Sequence, residues 1–326
     1  MSSEVVGTTI TQARDLLRWR SPLRTELWAS RLTTTWGQDE GEDFVEGLER
    51  TGRPESRLAL AALAAVGAIP GREDPGVPDW ALRMGRVSCE GAWYGKADPY
   101  GEQVLGALAF RYENGKEPHV LVVGIDQVHG GLAVDAVVEE PKFLDDLDLA
   151  PASPGTVAAR VLEAFRRTDS VLGAEVAETL PAVRHLAIAR ARAVQASGAA
   201  DRAVPADGGA DRVVPADGAA DEEMSGFVLP EVPGAREAFE ALKEFLGDRP
   251  LWWSPDRAGR FLTSWLPREA ILSDEAIAAM PEVLRAWTGD RPEILRRIDA
   301  DAAGLPELMA DESLAGLRKR LAQQER

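Results

Sequence analysis

The tightest constraint on the fold of this chain is a pair of turns. Asn114-Gly115 and Gly130-Gly131 each interrupt a run of alternating apolar residues. Asn-Gly favours a two-residue type I′ turn, which needs positive φ at both central positions and so fixes the register of the strands it joins. Centred there, the turn pairs Glu113 with Lys116, Phe110 with His119, Leu108 with Leu121, Gly106 with Val123 and Val104 with Ile125. Centring the next turn on Gly130-Gly131 pairs Ile125 with Ala136 and Val123 with Val138, which extends the same apolar face. A looser turn within GKADPYG adds a preceding strand, with Val87, Cys89 and Trp93 on that face. The expectation is a four-stranded antiparallel meander over about 86–95, 103–113, 116–127 and 132–139.

The opposite face then carries Tyr94, Gln103, Asp126 and Asp135 nearly side by side, among small residues such as Ala107, Ala109, Gly124 and Ala133. Directly opposed carboxylates repel one another across a strand pair, so water, a shared proton or a bound cation must relieve them. Two readings stand. Either the aspartates are solvated at the rim, or the loop is longer than two residues and no pair exists; or Asp126 and Asp135 hold a divalent cation or act as an acid and base pair, with Gln103 and Tyr94 orienting a ligand. His129, three residues after Asp126, reaches such a metal only if its loop folds back. The acidic stretch EEPKFLDDLDLA that follows reads as a solvated loop anchored by Phe143, Leu144 and Leu147.

The sheet sits between helical regions. Helices are expected before residue 70, with Thr8 or Thr9 as one cap, Ser21-Pro22 as another, and the run LALAALAAVGAI as a buried helix. The second helix carries Leu23, Leu27, Trp28, Arg31 and Leu32 at helical spacing. Helical periodicity returns over 154–196, and again after 227, where Ser254-Pro255 and Ser273 are caps and Pro281 implies a break or kink. Between them the repeat DRAVPADGG, DRVVPADGA has too little bulky apolar surface to fold, and reads as a disordered tether. The chain is therefore read as α+β: an N-terminal helical segment (1–70), a central antiparallel sheet with helices (71–196), a linker (197–226) and a C-terminal helical domain (227–326).

Composition narrows the function classes. Against 37 basic residues stand 54 acidic ones, a formal charge of −17, so nucleic acid and anionic membranes are unexpected partners. The single cysteine excludes an internal disulfide, the start lacks a secretory signal, and no apolar run is long enough to span a bilayer, so the cytoplasm is expected. No zinc spacing, nucleophile elbow or phosphate loop occurs, so no cofactor is expected beyond the possible divalent cation. Trp19, Trp28 and Trp36 lie among Arg14, Arg18, Arg20, Arg24 and Arg31, a pattern shared with nucleic-acid surfaces. The reading taken is that the tryptophans face the core and the arginines cover it. Trp252-Trp253 is likewise a core anchor or a partner-binding element.

The stretch YGEQVLGALAFRYENGKEPHVLVVGIDQVHGGLAVDAVV, with PLWWSP in the last third, resembles an actinobacterial family that has no assigned activity. The likeness implies one architecture for the two blocks and transfers no catalytic residues. The expected function is a cytoplasmic, non-enzymatic binding or regulatory protein with a protein partner. The alternative is a divalent-cation-dependent hydrolase on Asp126 and Asp135.

Overall fold

The computed structural model describes residues 3–35, 41–71, 76–197, 227–247, 249 and 251–324. The fold is α+β, and the chain divides into two compact units, Met1–Ala210 and Asp211–Arg326. Apart from Ser197, the linker lies outside the described residues.

In the first unit, α1 (Ser3–Trp19), α2 (Pro22–Leu32), α3 (Gly41–Thr51) and α4 (Pro54–Ala65) precede the sheet. Strands β1 (Val87–Lys96), β2 (Gln103–Tyr112), β3 (His119–Asp126) and β4 (Leu132–Glu139) form the expected antiparallel meander, and β5 (Ala150–Pro151) adds a short edge to give the order β4-β3-β2-β1-β5. Helices α5 (Pro154–Ser170) and α6 (Thr179–Ala196) follow. Thr8 and Thr9 lie inside α1, where their hydroxyls donate to the carbonyls of Glu4 and Val5, so neither is the cap expected of it. Ser21 does cap α2, accepting from the Arg24 N–H at 3.2 Å.

The β2–β3 register is the expected one, Phe110 with His119 through Val104 with Ile125. The turn that sets it is not the expected type. Only Gly115 takes positive φ (75°), the Gly115 N–H donates to the Tyr112 carbonyl, and Glu117 at φ 49° absorbs the extra residue. Between β3 and β4 the loop is five residues long, closed by the Gly131 N–H on the Asp126 carbonyl at 2.7 Å. Val123 therefore pairs with Ala136 instead of Val138, and the register shifts again between Gly124 and Ile125. In β1 the register slips between Cys89 and Gly91, which leaves Glu90 as an inserted residue. An inserted residue reverses the alternation beyond it. Hence Tyr94, not Trp93, shares the helix-covered face with Phe110.

Helix α5 crosses β1, β2 and β4 on that face, and α6 runs along β4 with α2 against it. A Cβ on Gly106 would lie 3.3 Å from Val157 and Val161, so glycine there lets α5 sit close. The other face buries Ala107, Val120 and Val122 under Trp93, Phe143, Leu144 and Leu149, so the acidic segment is anchored over the sheet. The N-terminal helices build a continuous core around Phe44, Leu48, Leu58 and Leu63, joined by Leu186 of α6.

The second unit packs α7 (Ala235–Leu246) on α10 (Asp274–Thr288) and α8 (Pro255–Arg260) on α11 (Pro292–Ala302), with α9 (Leu266–Glu269), α12 (Leu305–Ala310) and α13 (Leu317–Gln324) completing it. Ser254 and Ser273 cap α8 and α10 as expected, each accepting a backbone N–H at 3.2 Å. Pro281 lies within α10 without ending it. The irregularity falls instead before Pro267, where Phe261–Trp265 makes a π-turn that widens the helix ahead of a residue with no N–H to give.

Candidate functional site

The four side chains expected together on one sheet face are not brought together. Tyr94 lies on the α5 face, its ring 4.4 Å beneath the Arg160 guanidinium. Gln103 does pair with Asp126, but Asp126 faces Leu132 in β4, and Asp135 faces Gly124. The aspartates are thus offset along the strands by the longer loop and the added residue, and each has its own partner. Asp135 accepts from the Thr179 hydroxyl at the start of α6. The loop does fold back, and His129 reaches Asp126, with Nδ1 2.7 Å from Oδ2 and its backbone N–H donating to Oδ1 at 3.0 Å. Among the described residues no three His, Cys, Asp or Glu side chains converge to hold a metal ion. The Cys89 thiol lies half-buried in β1, and burial pushes its pKa up, away from the reactive thiolate.

The charged cluster that the fold does assemble lies at the centre of the first unit. Glu26 of α2, Arg190 of α6, Tyr112 of β2 and His119 of β3 are all at most 2% exposed. Arg190 Nη2 donates to Glu26 Oε2 at 2.5 Å and to the Tyr112 hydroxyl oxygen at 3.0 Å, and the Tyr112 O–H is itself given to Glu26. The Gly85 N–H supplies a further bond to Glu26 Oε1 at 2.6 Å. Burial is the strongest single influence on Arg190 and works against its charge, but Glu26 and Tyr112 together outweigh it and hold the guanidinium above its ordinary pKa. Arginine only donates, so its 3.2 Å contact from Nε makes His119 Nε2 the acceptor, and Nδ1–H is left to donate to the Glu117 carbonyl at 2.8 Å. Burial first, and then the Arg190 charge, push His119 down to about 4. The imidazole is neutral at neutral pH. Every member is satisfied and closed to solvent, so this cluster fixes α2, α6 and the sheet to one another and offers nothing to a substrate.

Sequence reasoning missed this cluster because it followed the apolar spacing of α2 and passed over Glu26. The helix buries Pro22, Thr25, Glu26, Ala29, Ser30 and Leu32, and leaves Leu23, Leu27 and Trp28 half-buried. A usable signal was present in α6, where Arg190 interrupts the buried stripe of Leu186, Ala187, Ala191 and Val194. A lone arginine on an apolar stripe needs a buried acid.

The outward side of α2 forms one wall of a groove. Arg24, Leu27, Trp28 and Arg31 follow one another at helical spacing, and face Gln12, Asp15, Leu16 and Trp19 at the same spacing on α1. The space between them is about 340 Å³. At its floor the Trp28 indole N–H donates to Gln12 Oε1 at 2.7 Å. Trp19, the last residue of α1, is 60% exposed with the Arg24 guanidinium 5.4 Å over its ring, which corrects the expectation that it faces the core. The chain leaves α1 through Arg20 at φ 53°, a tight reversal that sets Trp19 beside the start of α2. Trp36 lies outside the described residues. In the second unit Trp253 is a core anchor, its indole N–H donating to Thr288 at 2.9 Å, while Trp252 is half-buried between Arg249 and Arg257.

No protein-family model, curated protein or solved structure matches the chain.

Proposed function

We propose that this chain is a cytoplasmic, non-enzymatic binding protein that takes a protein partner in the groove between α1 and α2. One observation carries the reading: α2 sets Thr25, Glu26 and Ser30 in the core beside Ala29 and Leu32, and leaves Leu27 and Trp28 only half-buried at the edge of that core, where they line the groove beside the exposed Trp19. Holding Glu26 in the core and leaving Leu27 and Trp28 half-buried gives up part of an apolar burial that is worth about 1.5–3 kcal/mol for a fully buried side chain. Tryptophan and arginine around a desolvated centre are the residues that dominate protein interfaces. The formal charge of −17 weighs against nucleic acid and anionic lipid as the occupant, and no helix among the described residues is long and apolar enough to cross a membrane. The hydrolase alternative has less support, because Asp126 faces Leu132 and Asp135 faces Gly124, so the two aspartates share a face without being directly opposed.

The test is a comparison of interactors recovered on the full wild-type chain with those on Trp19→Ala and, as a control on another exposed helix, Arg166→Ala. The reading expects a stoichiometric partner that is lost with Trp19→Ala and kept with Arg166→Ala. A partner held equally by all three would place binding elsewhere.

A further inference from the structure

We infer that the occupant of this groove is an amphipathic helix carrying two acidic residues seven positions apart, with apolar residues at the third and fourth positions between them. The inference rests on the reading of the groove as a partner site. Both walls are helices whose backbone groups are already bonded within them, so an extended peptide laid here finds no ladder to join. A helix brings its own backbone hydrogen bonds and needs only side-chain contacts. The pattern it must carry is written on α2. Arg24 and Arg31 are seven residues apart, about 10 Å along the axis, and Leu27 and Trp28 lie between them.

The charge of the groove is opposite to that of the chain as a whole. Asp15, the one acid on its walls, lies 3.6 Å from Arg18, whereas neither Arg24 nor Arg31 has a carboxylate partner among the described residues. The Arg24 guanidinium lies 5.4 Å over the Trp19 ring, and a guanidinium placed over an aromatic face can still receive a carboxylate in forked geometry. A strongly acidic surface repels an acidic helix except where such a pair of arginines receives it, so the same charges give affinity and orientation.

The experiment is display selection on the full chain with randomised peptides of about 18 residues, long enough to hold a helix. Enriched peptides are then measured by fluorescence anisotropy. The expected result is Asp or Glu seven positions apart flanking an apolar pair, with affinity lowered at least about tenfold by Arg24→Glu or Arg31→Glu and recovered when the peptide acids become lysines. Enriched peptides without the acid pair, peptides indifferent to both reversals, or no enrichment would overturn the inference. Two failures are distinguishable. Non-helical peptides that still lose binding to Trp19→Ala overturn the helix and leave the groove as the site, whereas peptides indifferent to Trp19→Ala remove the groove itself. Sedimentation of the chain alone is the remaining control: self-association abolished by Trp19→Ala makes a second copy the occupant and overturns the peptide reading.

Discussion

The two faces of α2 differ less in polarity than those of most surface helices. Its inner face carries Thr25, Glu26 and Ser30 into the core beside Ala29 and Leu32, while Leu27 and Trp28, half-buried against the edge of that core, also line the groove. An amphipathic helix normally buries its apolar stripe. Here the polar face is retained inside by specific partners: Arg190 for Glu26, and the Leu186 N–H for Ser30 at 3.3 Å. The difference teaches that α2 is held by matched polar contacts as well as by Ala29 and Leu32, while Leu27 and Trp28 keep part of their surface toward the groove.

The largest test of that contrast removes one member of the buried pair. Arg190→Ala leaves the Glu26 carboxylate buried with no counter-charge, and should cost about 3–5 kcal/mol in urea unfolding. Replacing both, as Glu26→Leu with Arg190→Met, should recover most of that loss, because a well-packed apolar pair needs no partner. If Arg190→Ala alone is nearly neutral, the inner face is not held as described.

Acid should weaken the same centre. His119 is held at about 4 when folded, against its ordinary value of 6.5 when unfolded. Between those values the unfolded chain binds the proton and the folded chain does not. Stability from this residue is therefore complete above pH 6.5 and falls as pH drops toward 4, by about 3 kcal/mol at most. His185 is lowered by burial as well, and contributes in the same direction. Urea midpoints measured across this range should show the slope, and His119→Phe should flatten it.

On the outer face the expected effects on stability are small. Trp19→Ala should change unfolding by no more than about 0.5 kcal/mol while abolishing partner binding. At the sheet rim Asp126→Asn and Asp135→Asn should be equally mild, since each aspartate is answered locally by His129 or Thr179. Added Mg²⁺, Mn²⁺ or Ca²⁺ should raise the melting temperature of wild type no more than that of either variant. A rise confined to wild type would restore a cation site at that rim.

Much of the sheet was legible because its turns are written in glycine and its strands in alternation. The β2–β3 register followed from Asn114-Gly115 even though the turn takes another form, since Glu117 restores the count. What failed depended on residues distant in sequence. The insertion at Glu90 is defined only against β2, and it moved Tyr94 to the other face. The longer loop at 127–131, together with the residue inserted between Ala133 and Asp135, displaced Asp135 by two residues, which kept its face and removed its partner. The orientation of α2 was illegible from its own periodicity, because the feature that turns it is Arg190, more than 160 residues later. The candidate groove was half legible: its tryptophans and arginines stood out, but their direction did not.

The most direct measurement compares two neighbours on α2, the urea midpoints of Glu26→Gln and Leu27→Gln. Hydropathy alone ranks the loss of leucine as the more costly change. The structure predicts the reverse, about 3 kcal/mol or more for Glu26→Gln and about 1 kcal/mol for Leu27→Gln. If Leu27→Gln is the more damaging of the two, the apolar face of α2 belongs to the core and the groove is not a place for a partner.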